Sequence, residues 1–480
     1  MSDRRRLGLL AVALQLVIII VPGPALAASG TVSIVSAGPL PITPDGDGVR
    51  DEVVVRYRLQ TTATVSTSVL DFDGRTVRTF PIRTDLAPAT YSLRWGGRDD
   101  AGRLVANAAY RVRVEATDSS GTTTAEVLVT KANRAIYPRT PGSIVIALDP
   151  GHGGPDPGAV GDGTHEADIN LDVARRLRAM LAGAGVGVVM TRDADVSVNR
   201  PVLDRNLDGE ISERDELAAR LDVANLARAD LFVVIHQNSA SDPTARGTET
   251  WTSGDHPWID QNLRFAALVQ AELVSGLRAF ATSTWSPVDR GVKRLNFYVT
   301  APYEEGRVPR PGQMPTILGE SLFLSNAGDR AKLRSAAVRQ AIAEGYYDAI
   351  ARYLAERSYG ARYAVLAAPA SLVEGAAGTV SVAVRNTGNA SWPAGTYLYL
   401  RYVPEVPYYD GAPHRGLALR RVSLASATAP GARVDVALRF AAPAAGRWIL
   451  KVDLRIGDLY LSDAGVVQLQ VPFRSTAAPT

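Results

Sequence analysis

Apolar and polar positions change their rhythm along this chain. From about residue 31 to 134 they alternate singly. Asp51-Glu52-Val53-Val54-Val55-Arg56-Tyr57-Arg58-Leu59 moves into alternation, and Tyr110-Arg111-Val112-Arg113-Val114 alternates cleanly. Turn signals such as Asp73-Gly74 and Ala101-Gly102 separate these runs, the pattern of short half-buried strands in a sandwich. A polar linker follows over 135–142, with Pro138 and Pro141. From 143 to 357 short apolar runs alternate with helical spacing. Strands are expected at Ile144–Leu148, Val186–Thr191, Leu231–His236 and Thr316–Glu320. Helices are expected from Ile169 to Gly183, near Glu213–Ala229, over Phe265–Leu277 and over Lys332–Leu354. That order predicts an α/β domain with a mainly parallel sheet and flanking helices. Single alternation returns over 362–473, in Gly378–Val384 and Trp448–Leu454, and predicts a second sandwich.

At 480 residues the chain is long enough for about three domains. Its net charge of +3 is small for this length. No nucleic-acid motif and no dense basic run beyond the N-terminus is present, so no nucleic-acid partner is expected. Arg4-Arg5-Arg6 precedes an apolar run from Leu7 to Val21, and Ala25-Leu26-Ala27 offers a small-residue cleavage site. Residues 1–27 therefore read as a signal peptide, and no integral membrane span is expected after its removal. The chain is then periplasmic, wall-associated or extracellular. There are no cysteines and five histidines, so any zinc must be held by nitrogen and oxygen.

The chemistry gathers at the ends of the expected strands. Ile146-Ala147-Leu148 runs into Asp149-Pro150-Gly151-His152-Gly153-Gly154, with Glu166 downstream; Leu231–Ile235 ends on His236 and Thr316–Gly319 on Glu320. Strand ends of an open α/β sheet converge on one edge, where ligands bind. Two histidines and a carboxylate can hold zinc with its fourth position open to water, and a further carboxylate can move protons. These features read as a metal-dependent hydrolase. Taken singly, each admits a plainer role: His152 in a turn, Glu166 as a solvated carboxylate, His236 as a hydrogen-bonded buried histidine. Asp149 and Asn238 are candidates to orient ligands from behind, or else shape turns. His165, His256 and His414 read as surface residues.

Four ordered blocks carry a resemblance. Asp149–Glu166, Ile235-His236-Gln237-Asn238, Arg290-Gly291-Val292-Lys293 and Met314-Pro315 through Glu320 to Asn326 resemble the zinc-dependent N-acetylmuramoyl-L-alanine amidases. The resemblance implies that His152, Glu166 and His236 bind zinc and that Glu320 is the catalytic glutamate. It also implies the bond cut, between N-acetylmuramic acid and L-alanine of the peptidoglycan stem peptide, by zinc-activated water. Thr43–Gly48 with Trp95–Gly102 resembles the Ig-like domain of flagellar hook-capping proteins, so both sandwiches are expected to be Ig-like. Between His236 and Glu320 no inhibitory insertion is evident, which favours constitutive activity.

An inserted loop, 204–215, departs from the family pattern. Asp204, Asn206, Asp208, Glu210 and Asp215 stand where an EF-hand or dockerin loop places calcium ligands, with Gly209 and Ile211 in register. Aspartate rather than glutamate at the twelfth position weakens bidentate binding. The alternative is a solvated acidic loop. Asp45–Asp51 is a second acidic, Gly-rich loop that is equally well a plain turn. Competing readings are a zinc peptidase of another kind, against which the lack of a His-Glu-x-x-His helix counts, and a wall-binding scaffold. A third is glycan adhesion, for which Trp392, Tyr397, Tyr399, Tyr402, Tyr408 and Tyr409 are the candidate stacking residues.

Overall fold

The computed structural model describes residues 30–136, 142–405 and 418–478. The expected signal segment, most of the linker, Tyr408, Tyr409 and His414 lie outside them. The centre is a six-stranded sheet. Its strands are β1 (Val145–Pro150), β2 (Gly187–Met190), β3 (Leu231–Asn238), β4 (Thr248–Thr252), β5 (Asp289–Arg294) and β6 (Thr316–Phe323). They lie in the order β2-β1-β3-β6-β4-β5. Neighbours are parallel except β4 and β6, which run antiparallel, so the sheet is mixed.

The helices are α1 (Glu166–Gly183), α2 (Glu213–Leu226), α3 (Ile259–Arg278), α4 (Ala327–Leu333) and α5 (Ala336–Glu356). One long closing helix was expected over Lys332–Leu354; the chain instead breaks it at Arg334-Ser335. Ser335 is extended and starts α5, while Asn326 caps α4 by accepting from the amides of Gly328 and Asp329. Strand β1 is buried throughout after Val145, as a parallel strand covered on both faces should be. On one face Ile146, Leu148, Val233, Ile235 and Ile317 pack against Leu177, Leu273 and Tyr346. On the other, Ala147, Phe232 and Val234 meet Ala218, Leu221 and Met314.

β-rich units flank this sheet. On the N-terminal side Val32–Gly38, Val53–Leu59 and Thr90–Trp95 form one antiparallel sheet. A second contains Thr76–Thr79, Ala63–Leu70, Ala108–Asp118 and Gly121–Lys131, with Arg83–Leu86 on its edge. Val53 and Val55 of the first share a core with Val69 and Val112 of the second. The C-terminal unit pairs Ala361–Ala367, Ala377–Asn386 and Arg433–Ala441 in one sheet, and builds a second around Tyr397–Pro404, Gly446–Ile456 and Leu469–Thr476. Trp392 is fully buried in that core and Tyr399 is buried. Neither is on a stacking surface.

Candidate metal centre and its surroundings

At the end of β1 the chain turns sharply. His152 takes a positive φ of 61°, followed by Gly153 at 120° and Gly154 at 63°. A histidine in the left-handed region is held there by its surroundings, a common mark of a functional site. Two buried guanidinium groups do the holding. Arg192 donates to the carbonyls of Pro150 and Gly151, each at 2.9 Å. Arg220 donates to Pro150 O at 3.0 Å and His152 O at 2.9 Å. Neither arginine stood out in the sequence, because an isolated Arg reads as surface charge.

The turn brings His152 to Glu166, the first residue of α1, and to His236 on β3. Nε2 of His152 lies 3.3 Å from Glu166 Oε2, and Nδ1 of His236 lies 2.9 Å from Glu166 Oε1. One donor atom from each of the three falls within 4.8 Å of the others. Tetrahedral ligands about 2.1 Å from one zinc are about 3.4 Å apart, so spacing and donor types fit that ion. The field fits as well. Burial works against charge on Glu166, yet its bonds to His152 and His236 hold it well below the usual carboxylate range. Gly151 packs flat on the His236 ring; a Cβ there would fall 2.1 Å from Nε2. That leaves Nδ1 of His236 facing the cluster.

Asp156 supplies the partner behind His152, with Oδ2 2.7 Å from Nδ1. That contact leaves Nε2 free to face a metal, and Asp156 went unnoticed in the sequence. Asp149 reaches His152 only indirectly. Its Oδ1 accepts from Arg220 at 2.7 Å and Thr191 at 2.5 Å, and Arg220 in turn grips the His152 carbonyl. Asn238 touches no ligand; its amide donates to Glu249 at 2.7 Å.

Glu320 is in register with His236 on the adjacent strand. Its Oε2 is buried without a hydrogen-bond partner. Burial, then the charges of Glu166 and Glu249, push its carboxyl well above the usual range. One extra residue in β6 follows it before pairing resumes at Asn238 and Phe323, a bulge beside the site. On the far side Glu320 pairs with Glu249 of β4, a residue absent from the sequence-based candidates. The run Thr-Glu-Thr-Trp-Thr is polar but for its tryptophan and announces no buried strand, although Thr248, Glu249, Thr250 and Thr252 are all buried.

His165 is exposed, as expected. His256 is not. It is buried, stacked on Trp258 with centroids 4.7 Å apart, and bonded through Nε2 to Thr300 O at 2.9 Å. Burial pushes it down to about 4, so it packs as a neutral ring. In the 204–215 loop the acids turn inward on the loop's own amides. Asp215 accepts from Arg205 N, Asn206 N and Ser212 N, and Asp204 from Leu207 N and Gly209 N. Glu210 N donates to Asp208. Among the described residues, only Asp45, Asp47 and Asp51 form a second cluster of three potential metal-binding side chains.

Comparison with known proteins finds relatives of the central region. The family model described as N-acetylmuramoyl-L-alanine amidase matches residues 146–352. The uncharacterized protein YqiI of Bacillus subtilis (strain 168) is 34% identical over 208 residues, covering 43% of this chain and 84% of that one. The germination-specific N-acetylmuramoyl-L-alanine amidase of the same organism is 31% identical over 213 residues, covering 44% and 81%. With N-acetylmuramoyl-L-alanine amidase LytC, also from B. subtilis, identity is 32% over 208 residues, 43% of this chain but only 35% of LytC. Through its central region, and with the His152–Glu166–His236 cluster at the heart of it, the chain belongs to the N-acetylmuramoyl-L-alanine amidase family.

Proposed function

We propose that this protein hydrolyses the amide between N-acetylmuramic acid and L-alanine in peptidoglycan, using His152, Glu166 and His236 as zinc ligands and Glu320 as proton carrier. The observation that carries this is the juxtaposition of a three-donor cluster with a carboxylate one strand away whose Oε2 is buried and unpartnered. Zinc, when bound, supplies a Lewis acid for the scissile carbonyl and eases ionisation of the attacking water. Glu320 takes a proton from that water as its oxygen bonds to the carbonyl carbon. As the carbon–nitrogen bond breaks, Glu320 returns the proton to the alanine nitrogen, which leaves as a neutral amine. Asp156 keeps the His152 ring in one tautomer, and Arg192 with Arg220 fixes the turn that presents it.

Peptidoglycan lies outside the cytoplasmic membrane, so the reading entails export, for which residues 4–27 have the required pattern. No helix among the described residues is long and apolar enough to cross a membrane. In this reading the flanking units are Ig-like sandwiches. Calcium in the 204–215 loop draws no support from carboxylates already bonded to the loop's own amides, and the proposed reaction does not need it.

The test is to incubate the protein with purified peptidoglycan, with zinc, with chelator, and with Glu320→Ala in place of the wild type. Mass spectrometry should find intact stem peptides with free L-alanine amino ends, lost on chelation and in the variant. Cleavage at another bond would overturn the substrate, and no cleavage with zinc present would overturn the reaction.

A further inference from the structure

Beyond Glu320 the sheet carries a second polar cluster that the proposed reaction does not use. Glu249 on β4 is buried and saturated with donors. Asn238 Nδ2 at 2.7 Å and Trp251 Nε1 at 3.1 Å bond one oxygen; Arg290 Nε and Lys293 Nζ, both at 2.6 Å, bond the other. Four donors occupy its lone pairs, so Glu249 serves as an anchor rather than a base. Two cations share this one carboxylate, and among the described residues neither has a second carboxylate in ion-pair contact. Their side chains remain 33% and 32% exposed. The cluster therefore offers one unit of uncompensated positive charge at the rim of the site.

This arrangement depends on the backbone. Residues three apart in a regular strand point to opposite faces. Here β5 carries one extra residue, since Thr248 pairs with Asp289 but Thr250 with Val292. Gly291, at a φ of 77°, sits in that bulge. The bulge restores both cations to one face, where each meets Glu249. Aromatic rings steady them: the Lys293 ammonium is 5.1 Å from the Trp251 centroid and the Arg290 guanidinium 4.9 Å from that of Phe323.

We propose that Arg290 and Lys293, set on one face by the β5 bulge and anchored by Glu249, form a subsite for the first free carboxylate of the substrate's stem peptide. The strand order puts His236, Glu320, Glu249 and the two cations on successive strands. The cations thus lie beyond Glu320, on the side away from the metal ligands. Two strand spacings are about 10 Å, two to three residues of extended peptide from the scissile bond. Long basic side chains shorten that reach and favour the second residue. The inference rests on the amidase reading for the identity of the peptide.

The test uses two muramyl tripeptide amides, muramyl-L-alanyl-γ-D-glutamyl-L-lysinamide and muramyl-L-alanyl-D-isoglutaminyl-L-lysinamide, which differ only in whether that carboxylate is free or amidated. The zinc-loaded wild type should prefer the free acid at least tenfold in kcat/KM, chiefly through KM. Arg290→Gln and Lys293→Met should bring the ratio toward one, and Lys293→Arg should preserve it. In Glu320→Ala, calorimetry should show tighter binding of the free acid, weakening with salt. Equal kcat/KM in the wild type, or a preference that survives both substitutions, would overturn the subsite. If neither compound is cleaved, the reaction assignment falls, and the binding comparison alone decides the subsite: equal affinities reject it, tighter binding of the acid upholds it.

Discussion

At the scale of single residues, the proposed site separates groups that would bind the metal from groups that orient the binders. Asp156 reaches His152 at its far nitrogen. Asp156→Asn should therefore weaken zinc affinity about 10- to 100-fold while kcat at saturating zinc changes less. Competition with a chromophoric chelator measures this. Glu320 behaves oppositely. Glu320→Gln should keep the metal and lower kcat by about 10²- to 10⁴-fold, so metal content and turnover part company between the two variants. Gly151 gives a steric case. A methyl group there meets His236 Nε2 at 2.1 Å, so Gly151→Ala should lose zinc by displacing the ring, seen as lower metal content at unchanged secondary structure.

At the scale of elements, strands ending on chemistry were readable because apolar runs of buried parallel strands are conspicuous. Ile146-Ala147-Leu148 and Leu231–Ile235 lie in β1 and β3, and the residues following them form the cluster. What escaped were elements whose burial is satisfied by hydrogen bonds rather than by hydrophobicity. Strand β4 hides Thr248, Thr250 and Thr252 by bonding their hydroxyls to Ser321 O, Gln270 and Thr316 O, so its pattern looks like loop. Arg192 and Arg220 were missed for the same reason. Helix α5 holds a buried acid of the opposite kind, whose Oδ1 has no hydrogen-bond partner. Burial, then Glu344 and Glu272, pushes Asp348 up to about 7. An acid with a raised folded-state pKa binds its proton more tightly folded than unfolded. Its contribution is therefore most favourable below the ordinary carboxylate pKa and is lost as pH rises toward 7. Asp348→Asn should gain stability over wild type between pH 5 and 8, and the difference should vanish near pH 4. Denaturant unfolding at each pH checks it; a pH-independent difference would refute the assignment.

At the scale of the whole molecule, the flanking units are built into the centre. Ala109, Ala132 and Ile136 share a core with Ile146 and Leu177. The buried Arg176 of α1 pairs with Asp73, at 2.8 Å, from the N-terminal unit. On the other side Arg362 of the C-terminal unit donates to Arg228 O at 3.1 Å, and Gly465 lies so close to Pro315 that a Cβ would approach its ring to 2.6 Å. Residues 143–357 expressed alone should therefore melt roughly 5 °C or more below the full chain; equal melting temperatures would mean that the units are independent.

Helix α1 joins two of these regions. Glu166 stands at its first turn, and near its other end Met180 O accepts from Thr130 of the N-terminal unit at 2.7 Å. Gly183 fits there only because it lacks a Cβ, which would fall 2.4 Å from the Thr130 hydroxyl. The helix is 18 residues long, a stiff strut of about 27 Å. The helix that anchors the N-terminal unit at one end is thus the one that carries the carboxylate at the other.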